Sequence, residues 1–280
     1  MNRLLKLTAA FLSAVILMQS FTSVALAAEA PPEQNGAISI SDQAQEAGIP
    51  ENSDTTFENA QIITEYPEKR TETSKTFFMS DGTFLTASYR EPIHYQDASG
   101  SWQDIDNTLQ VVNSKVAESA QQLETKAGSM KVSLSKIMSA KKAVSVKAGA
   151  NTISWGLDGA AAAKSKIVPQ KTALAAESKN DQFLTLKKLN NELLYSDAYP
   201  NVDVQYLLSS SKVKENIILK SKEAQKQFTS TYQIGTLVPK QTDQQTIELY
   251  EKADAEQKNP VFTIKAPVMS RSAMRSPWKS

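Results

Sequence analysis

Cysteine is absent from the 280-residue chain, and histidine occurs once. The first absence excludes disulfide staples, thiolate nucleophiles, iron–sulfur clusters and structural zinc of the cysteine type. The second excludes metal sites built on paired histidines and leaves His94 as the one candidate imidazole base. Neither sign of charge dominates, with 31 Lys+Arg against 30 Asp+Glu. No enzyme class with a recognisable motif fits this inventory, and no cofactor is expected. Hydrophobic residues are 40% and charged residues 22%, enough to bury a core. At about 100–200 residues per domain, the chain holds one large or two small domains.

One uncharged apolar run, Leu7 to Met18, lies at the amino terminus behind Arg3 and Lys6. Ala25-Leu26-Ala27 follows as a small-x-small site, ahead of Ala28-Glu29-Ala30-Pro31-Pro32. That order is the layout of a secretory signal peptide over residues 1–27, cleaved after Ala27. The run is shorter than the ~20 residues that span a bilayer, which disfavours an uncleaved anchor. The mature chain is expected to be exported, with no stable membrane span. A sizeable exported chain without disulfides has to rest on its core, a composition in keeping with a single-membrane bacterium.

Charge divides the mature chain unevenly. Residues 28–112 hold 4 basic and 15 acidic side chains, net −11. Residues 113–188 hold 13 and 5, net +8, and residues 189–280 hold 12 and 10, net +2. Blocks of one sign act as tails or partner surfaces. Residues 28–73, with Pro31-Pro32, Gly48-Ile49-Pro50 and Glu51 to Thr56, carry few large apolar side chains. They read as a disordered acidic spacer, with room for a short strand at Ala60–Thr64.

From Ser74 the apolar period becomes two. Thr76 to Met79 leads into the turn Ser80-Asp81-Gly82 and on to Thr83–Tyr89, a hairpin signature. A second hairpin follows from Ile93–Gln96 through Asp97-Ala98-Ser99-Gly100 to Ser101–Leu109, with Tyr95 and Trp102 placed to pair across it. Val116, Ala120, Leu123 and Ala127 recur at helical steps and predict one short helix over 114–127. Strand patterns return at Met130–Leu134, Val144–Val146, Ala150–Leu157, Leu193–Tyr195, Val202–Leu208, Glu215–Leu219, Phe228–Ile234, Thr246–Lys252 and Val261–Ile264. The fold expected is mainly β: antiparallel sandwich-like modules with one short helix, preceded by a disordered segment. Its parts are a hairpin module at 74–112, a sandwich-like module at 113–269 and an unstructured tail at 270–280.

Candidate chemistry is sparse. His94 has no serine in a nucleophile motif beside it and reads as an exposed or half-buried strand residue. Asp104 and Asp106 share a strand face near Asp97, a pattern that serves acid–base work or calcium. The spacing does not match an EF-hand loop, so a turn role for Asp97 and solvated or capping roles for Asp104 and Asp106 are expected. Trp102 and Trp155 sit in alternating strands as core residues, and with Trp278 they form no clustered stripe for a sugar. The basic middle contains Lys115, Lys126, Lys131, Lys136, Lys141, Lys142 and Lys147. Of these, Lys136, Lys141, Lys142 and Lys147 are the candidate contacts to an anionic cell-wall polymer such as a teichoic acid, against the alternative of a solvated face. Nucleic acid is not expected as a partner, because arginine is scarce and no aromatics interleave with the lysines.

The text of residues 70–112 is also familiar. Arg70 to Phe77, Ser80-Asp81-Gly82-Thr83, Glu91 to Asp97 and Gly100 to Leu109 resemble an N-terminal module of large secreted wall-associated proteins of Gram-positive bacteria that carry RHS/YD repeats. Tyr199 to Tyr206, Val213 to Lys220 and Pro260 to Met269 are similar to its continuation, so the resemblance covers most of 70–269. It implies a β-rich, non-catalytic leading region of a long exported protein, whose downstream repeat domains form a shell or stalk. Some members end in a toxin used in contact-dependent competition. No YD repeat, toxin domain or sortase-type tail is present, and the pattern dissolves after Met269, which reads as a truncation or frame break. The expectation is an exported, wall-associated structural or interaction module that is not an enzyme. The alternative is a secreted glycan-binding or hydrolytic domain using Asp97, Asp104, Asp106 and His94.

Overall fold

A computed structural model describes residues 4–10, 60–169, 179–243, 246–265 and 267–268. Ala25, Ala27, the spacer as far as residue 59 and the tail at 270–280 lie outside the described residues.

Strands come first in chain order as β1 (Leu4–Ala10), β2 (Ile62–Glu65), β3 (Ser74–Met79), β4 (Phe84–Ser88), β5 (His94–Gln96), β6 (Trp102–Asp104) and β7 (Asp106–Val112). Then follow β8 (Gln122–Ala127), β9 (Met130–Ser135), β10 (Val144–Ala148), β11 (Asn151–Leu157), β12 (Ser165–Ile167) and the helix α1 (Lys179–Leu184). The chain continues through β13 (Asn191–Tyr199), β14 (Val202–Leu208), β15 (Val213–Leu219), β16 (Gln227–Gln233), β17 (Val238–Gln241), β18 (Ile247–Tyr250) and β19 (Phe262–Ile264). A seven-stranded sheet runs β1-β16-β11-β10-β9-β8-β7, and a four-stranded sheet runs β12-β13-β14-β15. Smaller sheets are β17-β18-β19, β2-β3-β4 and the pair β5-β6.

The two larger sheets face each other because their apolar residues alternate. Leu123, Val132, Leu134, Val144, Val146, Ile153, Trp155 and Leu157 from one layer share a buried cluster with Leu193, Tyr195, Val202, Val204, Tyr206 and Leu208 from the other. A period of two puts every second side chain on one face, so the layers close as a sandwich. Polar atoms reach across the same interface. The Tyr195 hydroxyl donates to the Ser135 carbonyl, and the Trp155 indole N–H donates to Glu215 Oε2 at 3.0 Å. Tyr206 donates to the same carboxylate oxygen at 2.7 Å, and the surrounding burial pushes the Glu215 carboxyl up.

A second, smaller core gathers Ile62, Phe77, Met79, Ala87, Tyr89, Ile93, Ile105 and Leu189. Asn107 joins the two. It is buried, its side-chain amide donates to the Leu189 carbonyl at 2.5 Å, and its own carbonyl accepts from Asn191 Nδ2 at 3.1 Å.

Several expectations need correction. Residues 114–127 are not a helix. They contain a short 3-10 turn at Glu118–Ala120 and then β8, in which Leu123 and Thr125 alternate inward. Ladder bonds to β7 and β9 on both sides outweigh a helical spacing whose first member, Val116, is exposed. The described helix is α1 instead. Residues 60–73 of the supposed spacer are ordered: Ile62 is buried in the smaller core, and the Tyr66 amide donates to the Thr76 carbonyl at 2.8 Å. An average over 28–73 hides those anchors. The boundary expected at residue 112 falls within one sheet, since Val111 and Val112 at the end of β7 pair with Leu123 and Gln122 of β8. Trp102 stands opposite Gln96 and Tyr95 opposite Gln103, so Tyr95 and Trp102 occupy opposite faces of their hairpin.

Gly156 in β11 is required by a close approach. A Cβ there would lie 2.3 Å from the Ala140 carbonyl oxygen and 2.8 Å from the Lys141 carbonyl carbon, both backbone atoms that cannot swing away. Gly156→Ala is expected to destabilise the protein by about 1–3 kcal/mol or more in urea or thermal unfolding. Gly128→Ala, whose Cβ would meet Met130 oxygen at 3.4 Å, is the control and should change stability far less. Equal effects would contradict the contact.

Candidate functional site

The pleat that sends Val132, Val144, Val146 and Ile153 inward sends their neighbours outward. Across the ladders, Ser133 stands opposite Ser145 and Ser145 opposite Ser154, while Lys131 stands opposite Lys147 and Lys147 opposite Thr152. The outer face of β8–β11 is therefore a grid of hydroxyls and lysines. It holds a shallow recess of about 310 Å³ lined by Gln122, Glu124, Lys131, Ser133, Lys142, Ser145, Lys147 and Thr152.

The four expected lysines divide. Lys142 and Lys147 line the recess, and Lys141 is exposed beside Lys142. Lys136 lies elsewhere, with Nζ 3.3 Å from Glu118 and 2.9 Å from Gln121 Oε1, so much of its charge is already met. Among the described residues Lys142 and Lys147 make no ion pair. Lys131, not among the four, belongs to the site and sits 2.6 Å from Glu124. Against the opposing pull of partial burial, Lys131 and Ser133 hold the Glu124 carboxyl below its ordinary value. The alternation around Val132 carried the signal for Lys131 and Ser133; the lysine count alone did not. Two lysines directly opposite one another repel; Glu124 offsets part of that repulsion from beside Lys131, and a further anion over the face would offset the rest.

His94 and Asp104 form a different centre. His94 is buried, with 1% of its surface exposed, which corrects the expectation of an exposed or half-buried residue. Its Nδ1 lies 2.6 Å from the Thr71 carbonyl, which only accepts, so Nδ1 carries the proton. Nε2 is 3.3 Å from Asp104 Oδ1, and Lys75 Nζ is 2.8 Å from the same oxygen. Arg70 lies 3.6 Å from Asp104 and 2.6 Å from Glu65, which is itself 3.6 Å from Lys75. Asp104 is solvent-exposed, as expected, and is also the acid of a charged cluster. The His94 ring, Lys75 and Arg70 hold its carboxyl well below the usual carboxylate range, against its partial burial. This is how buried Lys75 finds a counter-charge, a structural use of ions, while His94 Nε2 makes no hydrogen bond.

The other acids do not converge on it. Asp97 closes its turn by accepting from the Ser99 and Ser101 amides and from Gln103, and the Ser99 hydroxyl first and Gln103 second bring its carboxyl down to about 2. Asp106 accepts from the Thr108 amide at 2.9 Å and lies 3.4 Å from Lys188. Among the described residues no group of three or more His, Asp and Glu is arranged to hold a metal. Trp155 is buried in the sandwich, Trp102 is part-exposed on β6, and Trp278 lies outside the described residues.

The chain is similar to wall-associated proteins of bacilli. It is 25% identical over 272 residues to the tRNA(Glu)-specific nuclease WapA of Bacillus subtilis subsp. natto, covering 95% of this chain and 11% of that protein. It is 26% identical over 272 residues to the tRNA nuclease WapA of Bacillus subtilis, with the same coverage. A wall-associated protein of Geobacillus stearothermophilus is 25% identical over 162 residues, 55% of this chain and 56% of that one. The chain is a distant wall-associated relative, and it spans about a tenth of the length of the curated WapA relatives it matches. No family profile and no solved structure matches it. Among the described residues no helix is long and apolar enough to cross a membrane. The wall-associated relatives support a secreted or cell-wall location.

Asp104→Ala takes a carboxylate from Lys75 and Arg70 and leaves them Glu65, and because Asp104 is exposed its expected cost is about 1 kcal/mol at pH 7. Because the Asp104 carboxyl is depressed in the folded chain, its contribution is full above the ordinary aspartate value near ~4 and fades as pH falls below it. Chemical denaturation at pH 7 and pH 2.5 should show the gap between wild type and variant shrinking at the lower pH. A gap that is negligible at pH 7 would contradict the cluster.

Proposed function

We propose that the chain is the exported, non-catalytic leading module of a wall-associated protein of RHS type, and that the outer face of β8–β11 contacts anionic wall polymer. The observation that carries this reading is the similarity to wall-associated relatives along 95% of the chain. In this reading the nuclease activity named for those relatives belongs to parts of them outside the 11% that this chain covers. Residues 1–27 act as the leader, and downstream repeat domains are the covalent partners of the module.

The recess chemistry supports the polymer contact. Among the described residues Lys142 and Lys147 make no ion pair, and Ser145 and Thr152 place hydroxyls on the same face, while the Ser133 hydroxyl donates to Glu124. A phosphate-rich chain laid along the face would separate Lys131 from Lys147 and relieve their repulsion. The ion pairs of Asp104 with Lys75 and Arg70 favour a structural role for the His94 cluster over the hydrolytic alternative.

Lysine near a polyanionic surface contributes about 1 kcal/mol, so exchanging Lys131, Lys142 and Lys147 together for Gln should weaken binding to teichoic-acid-bearing walls about 100-fold. Wild-type binding should fall as the Debye length shortens from ~10 Å at 0.1 M salt to ~3 Å at 1 M. Lys136→Gln is the internal control and should bind nearly as wild type. Pull-down titrations that are insensitive to salt, or a Lys136 effect as large as that of the triple variant, would overturn the contact.

A further inference from the structure

We propose that in the exported chain residues 36–41 pair along the outer edge of β16, the edge on which β1 lies in this structure. The inference rests on cleavage after Ala27. β16 pairs with β11 on one side, and on the other with β1 in an unbroken antiparallel register from Leu4↔Gln233 to Ala10↔Gln227. Its seven residues, Gln-Phe-Thr-Ser-Thr-Tyr-Gln, contain no proline and no charge, and neither pairing carries a bulge. Natural edge strands are blunted by such devices, so this edge is built to be paired. It also borders the core: Phe228 is buried, and Tyr232 stacks on Trp155 with ring centroids 5.5 Å apart. Removal of residues 1–27 takes β1 away and opens the backbone of the whole strand.

The same chain supplies a replacement. Between Ala28 and Asn59 the apolar period of two occurs once, in Ala37-Ile38-Ser39-Ile40-Ser41, entered through Gly36. With Ile40 opposite Phe228 in an antiparallel register, Ile38 stands opposite Ser230, Ser39 opposite Thr229, and Asp42 opposite the exposed Lys226. Charge agrees with that direction. Residues 28–59 hold 7 acidic and no basic side chains, and Lys222 and Lys226 precede β16. The 18 residues from Asp42 to Asn59 reach as far as ~60 Å, ample to return to Ala60 from any edge of a domain this size.

A cysteine-free chain makes the test clean. In protein starting at Ala28, Ser39→Cys with Thr229→Cys is expected to cross-link within one chain under mild oxidation, whereas Ser39→Cys with Ser99→Cys is not. Amides of β16 that face the open edge should exchange about 100-fold faster or more when Ile38→Asp and Ile40→Asp remove the apolar alternation. Failure of the first pair to link, links only between chains, or exchange unchanged by the Asp pair would overturn the replacement; links between chains would assign the edge to a second copy. Mass spectrometry of exported material separates the two premises. An intact Met1 terminus overturns leader removal, whereas an Ala28 terminus without the cross-link overturns the strand exchange alone.

Discussion

Everything in the larger unit depends on the contact between two sheets that no covalent bond holds together. Without cysteine, the layers are joined by interdigitated Val, Leu, Ile and Tyr side chains and by a few hydrogen bonds that cross between them. Glu215 concentrates that dependence. One carboxylate oxygen accepts from Trp155 in the first sheet and from Tyr206 in its own, so the acid is tolerated near the core because donors from both layers are aimed at it. The raised Glu215 carboxyl shows that burial still costs it. Nearby, Tyr195 spends its hydroxyl on the Ser135 carbonyl, tying the central strand of one sheet to the loop end of β9 in the other.

The sandwich frees the opposite face of the seven-stranded sheet for contact. Inward alternation of Val132, Val144, Val146 and Ile153 forces Lys131, Ser133, Ser145, Lys147 and Thr152 onto one outer surface. A sheet closed on one side by a hydrophobic core and open on the other presents a flat, polar, rigid plane. Such a plane suits a long repetitive polymer better than a small substrate in a closed cavity. The smaller core and its charged cluster serve a different end. Arg70 and Lys75 are neutralised by Glu65 and Asp104, which fixes the β5–β6 hairpin against β3.

Much of the fold was legible in period-two patterning, because a strand with one face in the core prints its alternation on the sequence. β9, β10, β11 and β14 are read that way, as are the turns at Asp81-Gly82 and Asp97–Gly100. What was not legible depends on partners distant in sequence. β8 carries a spacing that also fits a helix, and only its two neighbouring strands decide between them. The burial of His94 follows from Thr71 and Asp104 closing over it, contacts that local pattern does not encode. Charge counting located the basic region, but pairing was needed to set Lys136 aside and bring Lys131 in.

Wall association through the exposed sheet face is the claim on which the functional account turns. It is tested most directly by sedimenting the chain with purified bacterial walls before and after chemical removal of their anionic polymer, at one fixed low salt concentration. The account predicts that the chain pellets with intact walls and stays in solution with stripped peptidoglycan. Equal pelleting with both would contradict it and move recognition from the lysine face to the glycan itself.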